Sequence, residues 1–201
     1  RTAGILGTLD QAEAVYQHLL ADAKLLERAG CTVLAIPCNT SHYFVDRIKQ
    51  EIGIPIQLHT HDTSGNQVAA LLMAAEAGVD IVDCALSPLA NGTSQPATES
   101  VAYALRHMGY EVDLNDQALT KMADFFKGVR ADFLKSGTLD PISMSTDTQC
   151  LNYQIPGGML SNLISQLKQA GKEDKYYDVL AEIPRVRKDF GYPPLVTPTS
   201  Q

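Results

Sequence analysis

Apolar and polar residues alternate along the first half of this chain in short blocks that spell strand, then helix, then strand. Ala3 to Leu6 reads as a short apolar strand, and Gly7-Thr8-Leu9-Asp10 as a turn ending in helix-capping residues. A helix is predicted from about Gln11 to Ala29, with Leu19, Leu20, Ala23, Leu25 and Leu26 as its apolar side. Gly30 is placed to end it in a left-handed cap. Cys31 to Ile36 has the unbroken apolar character of a buried parallel strand, bounded by Gly30 and Pro37. A loop, Pro37 to Ser41, leads to a helix from His42 to about Ile52. Ile54-Pro55-Ile56-Gln57-Leu58 is the next strand, followed by a helix from Gly65 to Ala77 and a strand from Val79 to Ala85.

Strands that alternate with helices in this way lie parallel and adjacent, joined by right-handed crossovers. From Leu86 the texture changes. Leu86 to Pro96 is a loop of small residues, and helices are predicted at Ala97 to Met108, Asp116 to Ser136, Gly158 to Ala170 and Glu173 to Phe190. The expected class is therefore α/β, with about four parallel strands followed by a helical C-terminal part. Four strands are too few for a closed eight-stranded barrel.

Composition narrows the function classes. With 201 residues, 45% hydrophobic and 19% charged, the chain is an ordinary globular protein able to bury a core. A net charge of −7 with no Lys/Arg block argues against nucleic acid or an anionic membrane as partner. The four cysteines, Cys31, Cys38, Cys84 and Cys150, form no CxxC pair, so reduced thiols in a cytoplasm are expected. No apolar run reaches membrane-span length, and no secretory leader is visible. The chain starts at Arg1 without a Met, which predicts a cut or partial N-terminus.

The chemistry concentrates at Leu58-His59-Thr60-His61-Asp62-Thr63-Ser64-Gly65. Side chains on a strand alternate between faces, so His59 and His61 are expected on one side, at the C-terminal end where α/β proteins build their sites. Two imidazoles from one strand suit a divalent transition metal, and zinc, manganese and cobalt fit alike. The competing reading has them capping the strand by bonds to neighbouring loops.

From Ile56 to Gln201 the chain resembles the carboxyltransferase domain of biotin-dependent enzymes, such as the oxaloacetate decarboxylase alpha subunit and pyruvate carboxylase. The resemblance is carried by Leu58 to Gly65, Asp83-Cys84-Ala85-Leu86-Ser87-Pro88, Gly92-Thr93-Ser94-Gln95-Pro96, Gln154 to Leu163, Pro184 to Asp189 and Tyr192 to Pro198. It implies partial TIM-barrel-like βα units and carboxyl transfer between carboxybiotin and pyruvate or oxaloacetate. It makes His59 and His61 metal ligands, and Thr197 the hydroxyl relaying a proton between biotin and the enolate of pyruvate. The family's biotin-carrier signature Ala-Met-Lys-Met does not occur here, so biotin is expected from a separate carrier protein or domain.

Residues 1–55 point elsewhere. Leu34 to Phe44, with Pro37-Cys38-Asn39-Thr40-Ser41 at its centre, resembles the first cysteine motif of aspartate/glutamate racemases. That implies Cys38 as one of two proton-transferring thiols, with Asn39 and Thr40 binding the substrate carboxylate. A thiol after a buried strand and near a helix N-terminus can be held as thiolate. Each site is half present. The strand before the histidines ends in Ile36-Pro37-Cys38, without the lysine the carboxyltransferase family places there. The family's first-strand aspartate is missing, and neither Cys84 nor Cys150 lies in a second racemase motif. The expected division is a racemase-like segment at 1–55 and a partial carboxyltransferase domain at 56–201, with an inactive chimeric remnant as the third reading. An open parallel sheet also exposes an edge, so a homo-oligomer is expected.

Overall fold

The computed structural model describes residues 9–36, 43–153, 155 and 157–191. It falls into two units, residues 1–60 with 69–83 and residues 61–68 with 84–201.

The first described element of the first unit is α1 (Leu9–Arg28). Its inward stripe is Tyr16, Leu19, Leu20 and Ala23, spaced as one helical face. Leu25 and Leu26 are exposed, contrary to expectation. At 3.6 residues per turn, Leu25 lies about 180° around the helix from Tyr16. Gly30 takes the expected left-handed turn, with φ 87°. Its N–H donates to Glu27 O and that of Cys31 to Leu26 O, which closes the helix end in a Schellman motif.

Three strands form the described sheet: β1 (Leu34–Ile36), β2 (Ile56–Leu58) and β3 (Ile81–Val82). They are parallel, in the order β1-β2-β3, with Leu34 opposite Ile56, Ile36 opposite Leu58 and Leu58 opposite Val82. The helices between them are α2 (Val45–Lys49) and α3 (Gln67–Glu76). Ile56, Leu58 and Leu71 are essentially sealed from solvent, as are Phe44, Val45 and Ile48. The strands are shorter than the apolar runs suggested, because each ladder reaches only as far as its neighbour supplies partners, Leu34–Ile36 against Ile56–Leu58 and Gln57–Leu58 against Ile81–Val82. The first expected strand, Ala3 to Leu6, lies outside the described residues. About four strands were expected; three are described, and they close no barrel.

The second unit is helical. Within the stretch expected as loop, Ser87–Leu89 forms a single 3-10 turn. Then come α4 (Thr98–His107), α5 (Asp116–Ser136), α6 (Cys150–Tyr153), α7 (Gly157–Gln169) and α8 (Tyr176–Asp189). The side chain of Asn115 accepts from Ala118 N at 2.9 Å and caps α5. Leu160 and Ile164 of α7, with Tyr176 and Leu180 of α8, form a core with Cys150 and Ile155. Each pair is four residues apart and so lines one face of its helix. Among the described residues no helix is long and apolar enough to cross a membrane.

Candidate functional site

β2 delivers the two histidines. Burial alternates without a break from Ile56 to Asp62, with residues 56, 58, 60 and 62 buried and 57, 59 and 61 half-buried. That is the period of an extended chain, carried past the last ladder residue of β2. His59 N still donates to Ile36 O at 3.3 Å, so the backbone stays paired there.

His59 sits within the first unit. The β2–β3 register, continued by one residue, sets it beside Asp83, whose N–H donates to Leu58 O at 3.0 Å. The His59 Nδ1 lies 2.9 Å from Asp83 Oδ2, both side chains about one third exposed. A carboxylate oxygen only accepts, so Nδ1 is the donor. Gln57, two residues earlier on the same face, donates from Nε2 to Asp83 Oδ1 at 2.8 Å.

His61 belongs to the second unit, and its Nδ1 is 2.5 Å from the carbonyl oxygen of Thr93. A carbonyl also only accepts, so this ring too carries its proton on Nδ1 when neutral. The carbonyl is held by a tight loop. Asn91 and Gly92 have φ of 70° and 57°, Thr93 N donates to Ser143 O at 2.8 Å, and Asn91 N donates to Gln95 O at 2.8 Å. Asp62 N donates to Ser94 O at 2.7 Å, tying the histidine segment to the same loop. Buried Asp62 caps α3 by accepting from Gln67 N at 3.0 Å. Burial pushes its carboxyl above the usual range, against the opposing pull of that hydrogen bond.

His59 bonds to Asp83 and His61 to the Thr93 loop, and those bonds leave the lone pair of each neutral ring on Nε2. That is the tautomer in which histidine binds a metal through Nε2. No group of three or more His, Cys, Asp or Glu side chains able to hold a metal occurs among the described residues. Cys38, Asn39, Thr40 and Thr197 lie outside the described residues. Sequence reasoning did not assign roles to Gln57, Asp83 or the Thr93 carbonyl. Asp83 had a legible signal, since it follows an apolar strand run and falls at the same C-terminal edge as His59. A backbone carbonyl in a loop leaves none.

Comparison with known proteins covers most of the chain. The HMGL-like family model matches residues 7–126, and the model of a conserved carboxylase domain matches 150–201. A pyruvate carboxylase subunit of Methanocaldococcus jannaschii is 49% identical over 186 residues, which is 89% of this chain and 32% of the relative. The methylmalonyl-CoA carboxyltransferase 5S subunit of Propionibacterium freudenreichii subsp. shermanii is 49% identical over 148 residues, 73% of this chain and 28% of that one. The carboxyl transferase domain of Rhizobium etli pyruvate carboxylase, solved with pyruvate, superposes with a TM-score of 0.76 at 27% identity. It is matched over 92% of this chain and 32% of its own. The chain therefore spans about a third of the length of these relatives. The HMGL-like match takes in most of the segment likened to racemases, and that likeness finds no support.

Proposed function

This chain belongs to the HMGL-like family, and on that footing we propose that it forms part of a carboxyltransferase moving a carboxyl group between carboxybiotin and pyruvate or oxaloacetate. The relatives named above are carboxylases and a carboxyltransferase, which supports the reaction class. The observation that carries the site is the hydrogen bonding of the two histidines. Both donate from Nδ1, to Asp83 and to the Thr93 carbonyl, as a pair of Nε2 metal ligands requires.

His59 and His61 would hold a divalent cation, zinc, manganese or cobalt. Such a cation supplies Lewis-acid polarisation of a keto oxygen. Asp83 and the Thr93 carbonyl hold the two rings by their Nδ1–H groups. Thr197 Oγ1 is proposed to pass the proton between biotin and the enolate of pyruvate, on the strength of the family resemblance. Biotin arrives on a separate carrier protein or domain. Two imidazole nitrogens alone do not hold a divalent cation, so other donors would have to complete the site.

Elemental analysis of the purified protein tests the reading. One divalent metal per chain is expected, lost in both His59→Ala and His61→Ala. Protein that neither carries metal nor takes up added zinc or manganese would refute it.

A further inference from the structure

We infer that Asp83 is a positioning residue for His59, and that Gln57 is the clamp that keeps Asp83 in place. Two donors converge on one carboxylate. His59 Nδ1 takes Oδ2 at 2.9 Å and Gln57 Nε2 takes Oδ1 at 2.8 Å, so each oxygen has its own partner. With about a third of each side chain exposed, water competes for the His59–Asp83 bond. The second bond, from Gln57, removes the carboxylate's freedom to turn toward solvent. Gln57 and His59 lie two residues apart on β2 and its continuation, and Asp83 directly follows the paired strand β3, so the backbone ladder itself sets the spacing of the three side chains.

The two histidines are therefore not equivalent. His59 donates to an anionic oxygen and His61 to a neutral carbonyl. A charge-assisted bond is stronger than a neutral one, and it leaves more electron density on Nε2. His59 is the better donor of the two, and Asp83 makes it so. Any effect on metal affinity rests on the proposed metal role; the tautomer does not.

The test is ¹⁵N NMR of the imidazole nitrogens in metal-free protein, at a pH roughly two units above the ordinary histidine value of about 6.5. Wild-type His59 should show a protonated Nδ1 and an unprotonated Nε2. Asp83→Ala should shift it toward the Nε2–H form that free histidine prefers in water, while His61 stays unchanged. Asp83→Asn, which keeps one acceptor oxygen, should restore Nδ1–H. Gln57→Leu retains the carboxylate without its clamp and should give an intermediate signal; it decides the matter should Asp83→Ala not fold.

Titration with Zn²⁺ alone supplies the second readout, with affinity falling about 10–100-fold in Asp83→Ala and less in Gln57→Leu. An Nε2–H signal for His59 in the wild type would overturn the inference. So would an unchanged His59 signal in folded Asp83→Ala, or in Gln57→Leu if Asp83→Ala does not fold. Failure of the wild type to bind Zn²⁺ sinks the metal reading instead and leaves the tautomer measurement to decide this one.

Discussion

Replacing Gly92 with alanine should damage both the fold and the setting of His61, and Gly109 provides the matched control. Both glycines have positive φ, 57° at Gly92 and 92° at Gly109. A side chain at either position carries the left-handed penalty of about 1–2 kcal/mol. They differ in what a methyl group meets. At Gly109 nothing lies within 4 Å. At Gly92 a Cβ would overlap Ser143 O and approach Met144 C at 2.7 Å and Met144 Cα at 2.9 Å. These are backbone atoms, so a rotamer change gives no relief, and the chain itself must move. Forced overpacking of that kind adds about 1–3 kcal/mol. Gly92→Ala should therefore cost about 2–5 kcal/mol against about 1–2 kcal/mol for Gly109→Ala. The movement also carries Thr93, whose N–H is bonded to Ser143 O and whose carbonyl receives His61 Nδ1–H. Urea denaturation of the two variants and the wild type measures the difference, and the His61 ring nitrogens report the displaced carbonyl. Equal destabilisation within about 0.5 kcal/mol, or an unaltered His61 signal, would show that the loop accommodates the methyl group and that the packing argument is wrong.

Two further outcomes are expected. Leu180→Ala, which empties a site that is 1% exposed in the α7–α8 core, should cost about 2–5 kcal/mol by denaturant unfolding, whereas Leu25→Ala at a 57% exposed position should stay within about 0.5 kcal/mol. The Lys168 ammonium, 2.5 Å from Asp140, holds the Asp140 carboxyl below the usual carboxylate range. A depressed folded-state pKa means that the pair contributes above the ordinary aspartate value and loses that contribution as pH falls through the folded value. Asp140→Asn should cost about 0.2–1 kcal/mol at neutral pH and nothing once the wild-type carboxyl is protonated; a cost that persists unchanged into acid would count against the ion pair.

Much of the helical part was legible in the sequence because each end carries its own chemistry. Asn115 and Gly137 bracket α5, the first as a side-chain cap and the second with φ 74°, and the helix runs over Asp116–Ser136 as the pattern predicts. Gly30 worked the same way for α1. The strands were harder to bound. An apolar run such as Cys31 to Ile36 says that the segment can be buried, but ladder length is decided by the neighbour, and only Leu34–Ile36 finds partners in Ile56–Leu58. Leu25 misled because it is a leucine; its angular position, half a turn from Tyr16, keeps it off the buried face. At the site, strand alternation predicts one side for His59 and His61, and both are half-buried between the buried residues 58, 60 and 62. The partners that orient them come from 24 and 32 residues further along the chain, and pairing across such separations is settled only by register and loop path.

The two rings also differ in how easily inheritance could uncouple them. His61 leans on a peptide oxygen, a group that every amino acid at residue 93 would carry, so its support survives any change of side chain there that keeps the loop's path. His59 leans on a carboxylate that a single codon change at residue 83 can erase. Under random drift the first attachment is buffered and the second is brittle, and a lineage released from selection should lose its grip on His59 first.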